Sequence, residues 1–413
     1  MFHRLCSFPL AARIAVVSLS SVAFLGAQPP APHPARISPE KRDLPPIDQL
    51  RRGHGRPPLH LTFDATTRQP GGLAPAAVAH AYGFDAIKGN LHGKGQTIAI
   101  VDAYDDPNIE ADLGVFSAMF SLPPCTTANG CFRKVYASGA KPAADAGWST
   151  EISLDVEWAH AIAPQAAILL VEAKSSMLTE LLAAVDVAVR GGASVVSMSF
   201  GATEFSGDTY FDAHFNVANV SFLASAGDSG AGVEYPAACA NVTGVGGSTL
   251  TLKNGVYAGE TAWAGSGGGV SATELLPAYQ SGFNAKSKRG VPDVAYNADP
   301  NSGIPIYDSL PYQGYSGWFL AGGTSAGAPQ WAGLFALANA MRAAAHKLPL
   351  SMVNYDLYRS AVSAAAYGAN YNDITAGKNG TCATCSAAKG YDFVTGLGSP
   401  KANNLLPALV ALP

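Results

Sequence analysis

The sequence predicts an α/β fold: a doubly wound, mostly parallel sheet with helices on both faces. Short apolar runs of strand length recur along the chain, at 96–102, 166–171, 193–199, 221–225 and 241–245. Such runs are typical of strands that are buried on both faces of a parallel sheet. Helical patterns separate several of them, at 176–190 and 211–217 for example, and this alternation favours parallel pairing. A short helix is predicted at 74–84 and a long apolar one at 325–346.

Composition narrows the class of protein. Of the 413 residues, 48% are hydrophobic, which excludes disorder for most of the length. Only 14% are charged, against about 25% in average globular chains. The net charge of −4 excludes a basic nucleic-acid-binding surface. Residues 1–70 carry nine Lys/Arg against four Asp/Glu, so the remainder is distinctly acidic, which hints at tolerance of low pH.

The N-terminus has the pattern of a secretory signal peptide at 1–27. Arg4 and Arg13 precede an apolar run at 14–27 that ends in small residues. The run is short for a membrane span, although a short membrane anchor is the alternative. We therefore expect export to the periplasm or the medium. Residues 28–70 are rich in Pro, Arg and His, which predicts a linker or short pro-segment before one domain at 71–413.

Six cysteines fit an exported protein. Cys6 would leave with the signal peptide. Cys125 and Cys131 flank a short loop and could close a disulfide. For Cys382 and Cys385 a structural disulfide is favoured over metal or redox chemistry, since no second pair stands at zinc-site spacing. Cys239 is expected to be a buried free thiol.

The first candidate site segment carries two carboxylates on one helical face. Glu151 and Asp155 are four residues apart, so they lie one above the other on a helix. Two such groups can share a proton, which raises the pKa of one of them. Ser149 or Thr150 is the expected helix cap. The alternative is a solvated acidic helix start.

Two further segments present a hydroxyl and an acid. Ser325 lies among small residues at 321–329, where a helix start favours a developing alkoxide. The alternative interpretation is that Ser325 belongs to an ordinary glycine-rich helix N-cap. Asp228 follows the predicted strand at 221–225, at the sheet edge where α/β proteins bind ligands. The alternative interpretation is that Asp228 is an ordinary turn residue.

A serine nucleophile needs a base, and histidine does not supply one in the expected place. Five histidines follow residue 70, and none lies in a His-Gly-x-x-x-Ala segment after the strand that ends at Asp102. His160 is expected on the side of its helix opposite Asp155. Glu151 is the better candidate, provided that burial and a partner acid raise its pKa.

These segments together resemble the sedolisin family, the serine-carboxyl peptidases. Glu151-x-x-Leu-Asp155, Ser-Ala-Gly-Asp228 and Gly-Thr-Ser325-Ala occur in the family's order, and supporting motifs extend the likeness over about 74–405. The resemblance implies a subtilisin-like fold and peptidase activity at acid pH through an acyl-enzyme. Ser325 would be the nucleophile, Glu151 the general base and later acid, Asp155 its orienter, and protonated Asp228 part of the oxyanion hole.

The resemblance also implies one structural Ca²⁺ near the C-terminus. Its ligands would be two carboxylates and three backbone carbonyls, from Asp373, Ile374, Ala388, Gly390 and Asp392. Ala388 stands where a glycine is usual. Family members commonly have a long folded prosegment, whereas 28–70 is short. Either folding needs no such helper, or the basic segment covers the acidic domain electrostatically. Asp102 could join the carboxylates, but a structural role is the favoured interpretation.

The implied partners are protein or peptide substrates, with neither nucleic acid nor membrane, and the expected state is a monomer. One alternative is a catalytically inactive binding protein on the same scaffold. Another is a glycosidase that uses Glu151 and Asp155. Helix neighbours lie about 6 Å apart, which suits a shared proton better than opposite faces of a sugar.

Overall fold

A computed structural model describes residues 53–62 and 70–413 of the chain. The predicted signal peptide at 1–27, Cys6 and most of the segment 28–70 lie outside the described residues. All described residues belong to one compact unit.

Strands and helices alternate through the first half of the chain. The strands are β1 (His60–Thr62), β2 (Thr97–Ala103), β3 (Phe132–Tyr136), β4 (Ala167–Ala173), β5 (Val195–Met198), β6 (Ala202–Thr203), β7 (Ser221–Ser225), β8 (Glu234–Tyr235), β9 (Val242–Lys253), β10 (Val256–Ala262), β11 (Gly269–Leu275), β12 (Lys288–Val291), β13 (Val294–Asn297), β14 (Ile304–Tyr312), β15 (Tyr315–Gly322), β16 (Tyr371–Asn372) and β17 (Ser399–Pro400). The α-helices are α1 (Pro75–Tyr82), α2 (Ile109–Met119), α3 (Ala146–Ile162), α4 (Leu178–Arg190), α5 (Gly327–Ala344), α6 (Val353–Arg359), α7 (Ala364–Asn370) and α8 (Ala402–Ala411).

The central sheet is mostly parallel. Its order in the described residues is β10-β9-β7-β5-β2-β4-β3, with β13 also paired to β9. Strands β3, β4, β2, β5, β7 and β9 pair in parallel, and only β10 runs antiparallel to its neighbour. A separate three-stranded antiparallel sheet has the order β1-β15-β14. The predicted α/β class is confirmed.

Strand β2 shows why the sheet is covered on both faces. Ile98 and Ile100 join the core that contains α3 and α5, whereas Ala99 and Val101 join the core that contains α4. Alternate side chains of a strand point to opposite faces, so an unbroken apolar run needs helices on both. The same alternation turns Asp102 toward the face that α3 covers.

The predicted strands lie where the structure has them, to within about two residues at their ends, except that β9 continues well past the predicted end at 245 to Lys253. The prediction was wrong about the start of α3. Asp145, rather than Ser149 or Thr150, caps this helix, and its carboxylate accepts a hydrogen bond from the Trp148 N–H. The earlier start leaves both hydroxyl residues inside the helix. Strand β3 was missed because Arg133 and Lys134 interrupt its apolar pattern.

Disulfides join Cys125 to Cys131 and Cys382 to Cys385, and Cys239 is a buried free thiol. All three observations agree with the sequence-based interpretation. Among the residues that the structure describes, no helix has the length and apolarity to cross a bilayer.

Candidate active site

Three loops and one helix converge at the carboxyl ends of the central strands. Asp102 is the penultimate residue of β2, and Asp228 follows β7 by three residues. Ser325 lies in a single 3₁₀ turn, Thr324–Ala326, directly before α5. Glu151 and Asp155 lie one helical turn apart in α3, which packs against both α5 and that turn. The three predicted segments therefore meet in one place.

The side chains of Glu151, Asp155, Asp102 and Ser325 are fully buried. The Ser325 hydroxyl lies beside the Glu151 carboxyl and acts to lower its pKa, although the contact falls outside the geometry of a well-formed hydrogen bond. Burial, and next the charge of Asp102, outweigh that effect and raise the pKa of Glu151 well above its ordinary range. A raised pKa is what a carboxyl group needs to act as a base for an alcohol.

Asp155 and Asp102 complete a buried carboxyl cluster. The Ser199 hydroxyl donates a 2.8 Å hydrogen bond to Asp155 Oδ1. Burial and the neighbouring charges of Asp102 and Glu151 raise the pKa of Asp155, and burial raises the pKa of Asp102 to about 8. Because charges in apolar surroundings are costly, these three groups hold protons to higher pH than exposed carboxyls do. Of the two roles considered for Asp102, membership of the carboxyl cluster is the one observed.

Asp228 sits at the N-terminal side of the Ser325 turn. Its Oδ1 accepts hydrogen bonds from the Thr324 N–H at 2.8 Å and the Thr324 hydroxyl at 2.9 Å. Its Oδ2 has no hydrogen-bond partner among the described residues. Burial raises the pKa of Asp228 to about 8, against the lowering effect of the Thr324 donors. A protonated Oδ2 would be a free hydrogen-bond donor at this position.

Residues 53–62 run along the site and pair with both of its rims. Arg56 and Gly201 exchange backbone hydrogen bonds of 3.0 and 3.2 Å, and Gly55 N–H donates to the Ser176 carbonyl at 2.7 Å. Beyond the site, β1 pairs antiparallel with β15, from His60 opposite Gly322 to Thr62 opposite Leu320. This is the way an extended peptide adds a strand to exposed edges.

The Pro58 carbonyl of this segment points at the Ser325 turn. The Ser325 N–H donates to it at 3.4 Å. Gly323 has a φ of +114°, and a side chain there would collide with the Pro58 carbonyl and the Asp228 carboxyl. Only glycine combines this backbone conformation with so close an approach. A peptide carbonyl is thus held between the Ser325 amide and Asp228.

Basic side chains of the segment face acids of the domain. His60 Nε2 lies 3.4 Å from Asp228 Oδ2, and Arg56 acts to lower the pKa of the largely buried Glu234. Together with its neighbours the segment lines a cleft of about 570 Å³.

The histidines that follow residue 70 lie away from Ser325. His160 Nε2 contacts the Pro123 carbonyl at 2.8 Å, as expected for the face of α3 opposite Asp155. His80 pairs with Asp85 and His214 with Asp186. Within the described residues, no imidazole reaches the Ser325 hydroxyl.

The residues predicted to hold calcium come together in C-terminal loops. The Gly390 N–H donates to Asp373 Oδ1 at 3.1 Å, and the Ala388 N–H donates to Asp392 Oδ2 at 3.0 Å. Asp392 and Ile374 are buried. No backbone or side-chain donor of the described residues bonds to the carbonyls of Ile374, Ala388 or Gly390. Two carboxylates and three free carbonyls fit the hard oxygen ligands that Ca²⁺ takes.

Sequence reasoning favoured the wrong role for one residue of this site and missed one segment. A structural role was favoured for Asp102, although the alternation of Ile98, Ile100 and Asp102 on one face of β2 indicates a place beside α3. The missed segment is residues 53–62, which run through the site. No periodicity marks this segment, because its binding depends on backbone pairing with distant strands.

A Subtilase family profile matches residues 143–390, more than half of the chain. The chain belongs to the subtilase family. Kumamolisin of Bacillus sp. (strain MN-32) is 33% identical over 395 residues, which cover 84% of this chain and 66% of kumamolisin. Sedolisin of Pseudomonas sp. (strain 101) is 31% identical over 180 residues, which cover 40% of this chain and 28% of sedolisin. The chain thus spans less than two thirds of these subtilase relatives.

A solved structure of Pseudomonas sedolisin, complexed with two molecules of pseudo-iodotyrostatin, superposes on this subtilase chain with a TM-score of 0.71 at 25% identity. The match covers 82% of this chain and 98% of that one. The predicted membership of the sedolisin family and the subtilisin-like fold are confirmed.

The buried acids make stability depend on pH in a definite direction. An acid whose pKa is raised on folding favours the folded state while protonated, so the contribution is lost as pH rises from about 4 to about 8. Asp102→Asn removes one such proton. In a Ser325→Ala background, urea unfolding between pH 4 and 8 should show a shallower decline for Asp102→Asn, by up to ~1.4 kcal/mol per pH unit.

The matched control for this comparison is Asp85→Asn, which changes a half-exposed carboxylate paired with His80. It should leave the slope of the parent almost unchanged. Equal slopes for Asp102→Asn and the parent would show that Asp102 is already ionised at pH 4.

Proposed function

We propose that this chain is an acid-active serine-carboxyl peptidase that hydrolyses peptide bonds through an acyl-enzyme on Ser325. One observation carries the proposal: the Ser325 hydroxyl lies beside a buried glutamate, while the Ser325 N–H donates to the peptide carbonyl of Pro58 at 3.4 Å. Nucleophile, base and a reacting carbonyl are thereby side by side. Protein or peptide substrates follow from the way the cleft rims pair with an extended chain.

In the first step, Ser325 Oγ forms a bond to the carbonyl carbon and its proton passes to Glu151. The C–N bond then breaks, and Glu151 returns the proton to the departing amine. A water molecule repeats the sequence on the acyl-enzyme, which releases the acid and restores the serine. Glu151 thus acts as base and acid in turn, as a group with a raised pKa can.

Asp155 and Asp102 influence the protonation of Glu151 and do not contact the substrate. Asp102 lies close enough to raise the pKa of Glu151, Glu151 in turn raises the pKa of Asp155, and the Ser199 hydroxyl fixes Asp155. With like charges so near, the cluster cannot ionise fully at low pH. One carboxylate among several carboxylic acids is the state that can accept the serine proton.

In this proposal, Asp228 stabilises the oxyanion by donating a hydrogen bond to it. A developing negative charge on the substrate oxygen would meet the Ser325 N–H from one side and a protonated Asp228 from the other. Asp228 can donate only while protonated, which burial favours up to a pKa of about 8. Departure of residues 53–62 would admit water and bring that pKa toward the ordinary value, so the active range is acidic.

Two further properties complete the proposal. We infer that residues 1–27 direct export, in agreement with the two disulfides, which form in oxidising compartments. We also infer that Asp373, Ile374, Ala388, Gly390 and Asp392 hold one structural Ca²⁺. When bound, the ion would offset the charge of the two carboxylates and tie the loops that carry them.

Residues 53–62, which we call the covering segment, would be the first substrate of the enzyme in this proposal. Arg56 pairs with Gly201 and Pro58 presents its carbonyl to Ser325, so the bond that would be attacked is Pro58–Leu59. Its cleavage would separate the paired strand β1 from the residues before it. The short basic segment would thus restrain the enzyme until this bond is cleaved.

The direct test is Ser325→Ala, assayed on a denatured protein substrate near pH 4. Activity should fall by at least about 10³-fold, since removal of a catalytic nucleophile abolishes the acyl route. The melting temperature should stay within a few degrees of the parent. Ser117→Ala, which removes another buried hydroxyl without a hydrogen-bond partner, should keep full activity.

The same preparations report on the covering segment. Mass spectrometry of the parent at pH 4 should show a chain that begins at Leu59, whereas Ser325→Ala should keep residues 53–62 attached. Full activity of Ser325→Ala would rule out the proposed nucleophile and favour a different site. A folded, wholly inactive parent would favour the binding-protein alternative.

Asp228→Asn tests the oxyanion donor. Asparagine donates a hydrogen bond at every pH, so the alkaline limb of kcat/KM should move to higher pH while the acid limb, set by Glu151 and its neighbours, stays in place. The measurement is a pH profile of kcat/KM on a peptide. An alkaline limb at the same pH in both proteins would mean that another group titrates there.

Calcium removal tests the C-terminal loops. A chelator should lower the melting temperature of the Ser325→Ala protein, and added Ca²⁺ should restore it, since an ion that binds only the folded state stabilises it. Asp392→Asn should weaken this response. Asp186→Asn, which changes a half-exposed acid paired with His214, should keep it. An unchanged melting temperature after chelation contradicts the calcium assignment.

A further inference from the structure

Away from the active site, four elements bring carboxylates to one buried point. Asp106 lies in the loop after β2, Asp112 in the first turn of α2, and Asp308 in β14. One carboxylate oxygen of each lies within 4.8 Å of the other two, and all three residues are buried. We call these residues the acidic pocket. None of them belongs to the site around Ser325 or to the C-terminal loops.

Glu157 of α3 supplies a second, independent observation. This side chain is fully buried, and the charges of Asp112, Asp308 and Asp106 act on it, so it lies close to the acidic pocket. Its Oε2 accepts from the Tyr307 N–H at 3.1 Å, but its Oε1 has no partner among the described residues. Burying a carboxylate oxygen without a hydrogen-bond donor costs free energy of folding unless a ligand binds to that oxygen.

Two members of the acidic pocket also have a buried carboxylate oxygen without a hydrogen-bond donor. Asp106 Oδ2 and Asp308 Oδ2 are buried without a hydrogen-bond partner, while the second oxygen of each accepts a backbone N–H at 2.8 Å, from Asn108 and Leu310. The carboxylates are therefore held in place by one oxygen and offer the other. Fixed, preoriented oxygens are the arrangement expected of metal ligands.

The nearest cation in the described residues is committed elsewhere. Lys134 Nζ bonds to Asp105 Oδ1 at 2.7 Å, to the Asp106 carbonyl at 2.6 Å and to Glu172 Oε1 at 3.1 Å. It thus serves a different pair of carboxylates and reaches only the backbone of Asp106. Among the described residues, no ammonium or guanidinium group forms an ion pair with the three acids of the pocket or with Glu157.

We propose that the acidic pocket and Glu157 bind a divalent cation of calcium size. Calcium takes carboxylate oxygens at 2.3–2.6 Å, so ligands around it lie up to about 5 Å apart, which agrees with the 4.8 Å limit on the spacing of the Asp106, Asp112 and Asp308 oxygens. Magnesium prefers to keep several waters and fits a closed all-carboxylate pocket poorly. The ion would join the loop after β2 to α2, α3 and β14.

The experiment counts calcium in the full chain carrying Ser325→Ala, after treatment with a chelator and equilibrium dialysis at pH 6 against Ca²⁺. The parent should bind one ion more than Asp308→Asn, and Glu157→Gln should lose the same ion. Asp186→Asn, a surface control, should bind as the parent does. An unchanged count in a folded Asp308→Asn protein would mean that protons alone neutralise the pocket, and would overturn the proposal.

Asp392→Asn separates this site from the one proposed in the C-terminal loops. It should still bind one ion, which the acidic pocket holds. If it binds none, the pocket takes no calcium, and this result holds even where the pocket variants fail to fold. Neither outcome depends on peptidase activity, so failure here leaves the proposed function untouched.

Discussion

The burial of several carboxyl groups around one hydroxyl is the constraint on which the rest of this structure depends. Glu151, Asp155 and Asp102 are fully buried, and Asp228 nearly so. Ionised together they would repel one another in surroundings that disfavour charge, so they must share protons. In the proposed mechanism the same protons allow Glu151 to act as a base and Asp228 to act as a hydrogen-bond donor. The proposed chemistry and its proposed restriction to acid conditions would thus have one physical cause.

The fold meets this constraint through the geometry of a parallel sheet. Strands β2 and β7 end at one edge and deliver Asp102 and Asp228, while α3 lays its carboxylate face across that edge. Gly323 leaves room for a peptide carbonyl between the Ser325 turn and Asp228. Residues 53–62 occupy this room. We interpret the segment as a substrate-like restraint that also preserves the buried state of the acids.

Much of this could be predicted from the sequence, because it is encoded in local patterns. Apolar runs mark the parallel strands, and the four-residue spacing of Glu151 and Asp155 places both on one face of α3. The helix start was misplaced because Asp145 caps more effectively than the hydroxyl residues that follow. The course of residues 53–62 and the meeting of Asp106, Asp112 and Asp308 depend on long-range packing, which no local pattern reports.

Infrared spectroscopy of the carboxyl C=O stretch tests the central claim most directly, because protonated and ionised carboxyl groups absorb at different frequencies. The Ser325→Ala protein should retain carboxylic-acid absorption at pH 6, where exposed Asp and Glu are ionised, and Asp102→Asn and Asp228→Asn should each reduce it. Loss of all carboxylic-acid absorption by pH 5 would show that the cluster is ionised and would contradict the account.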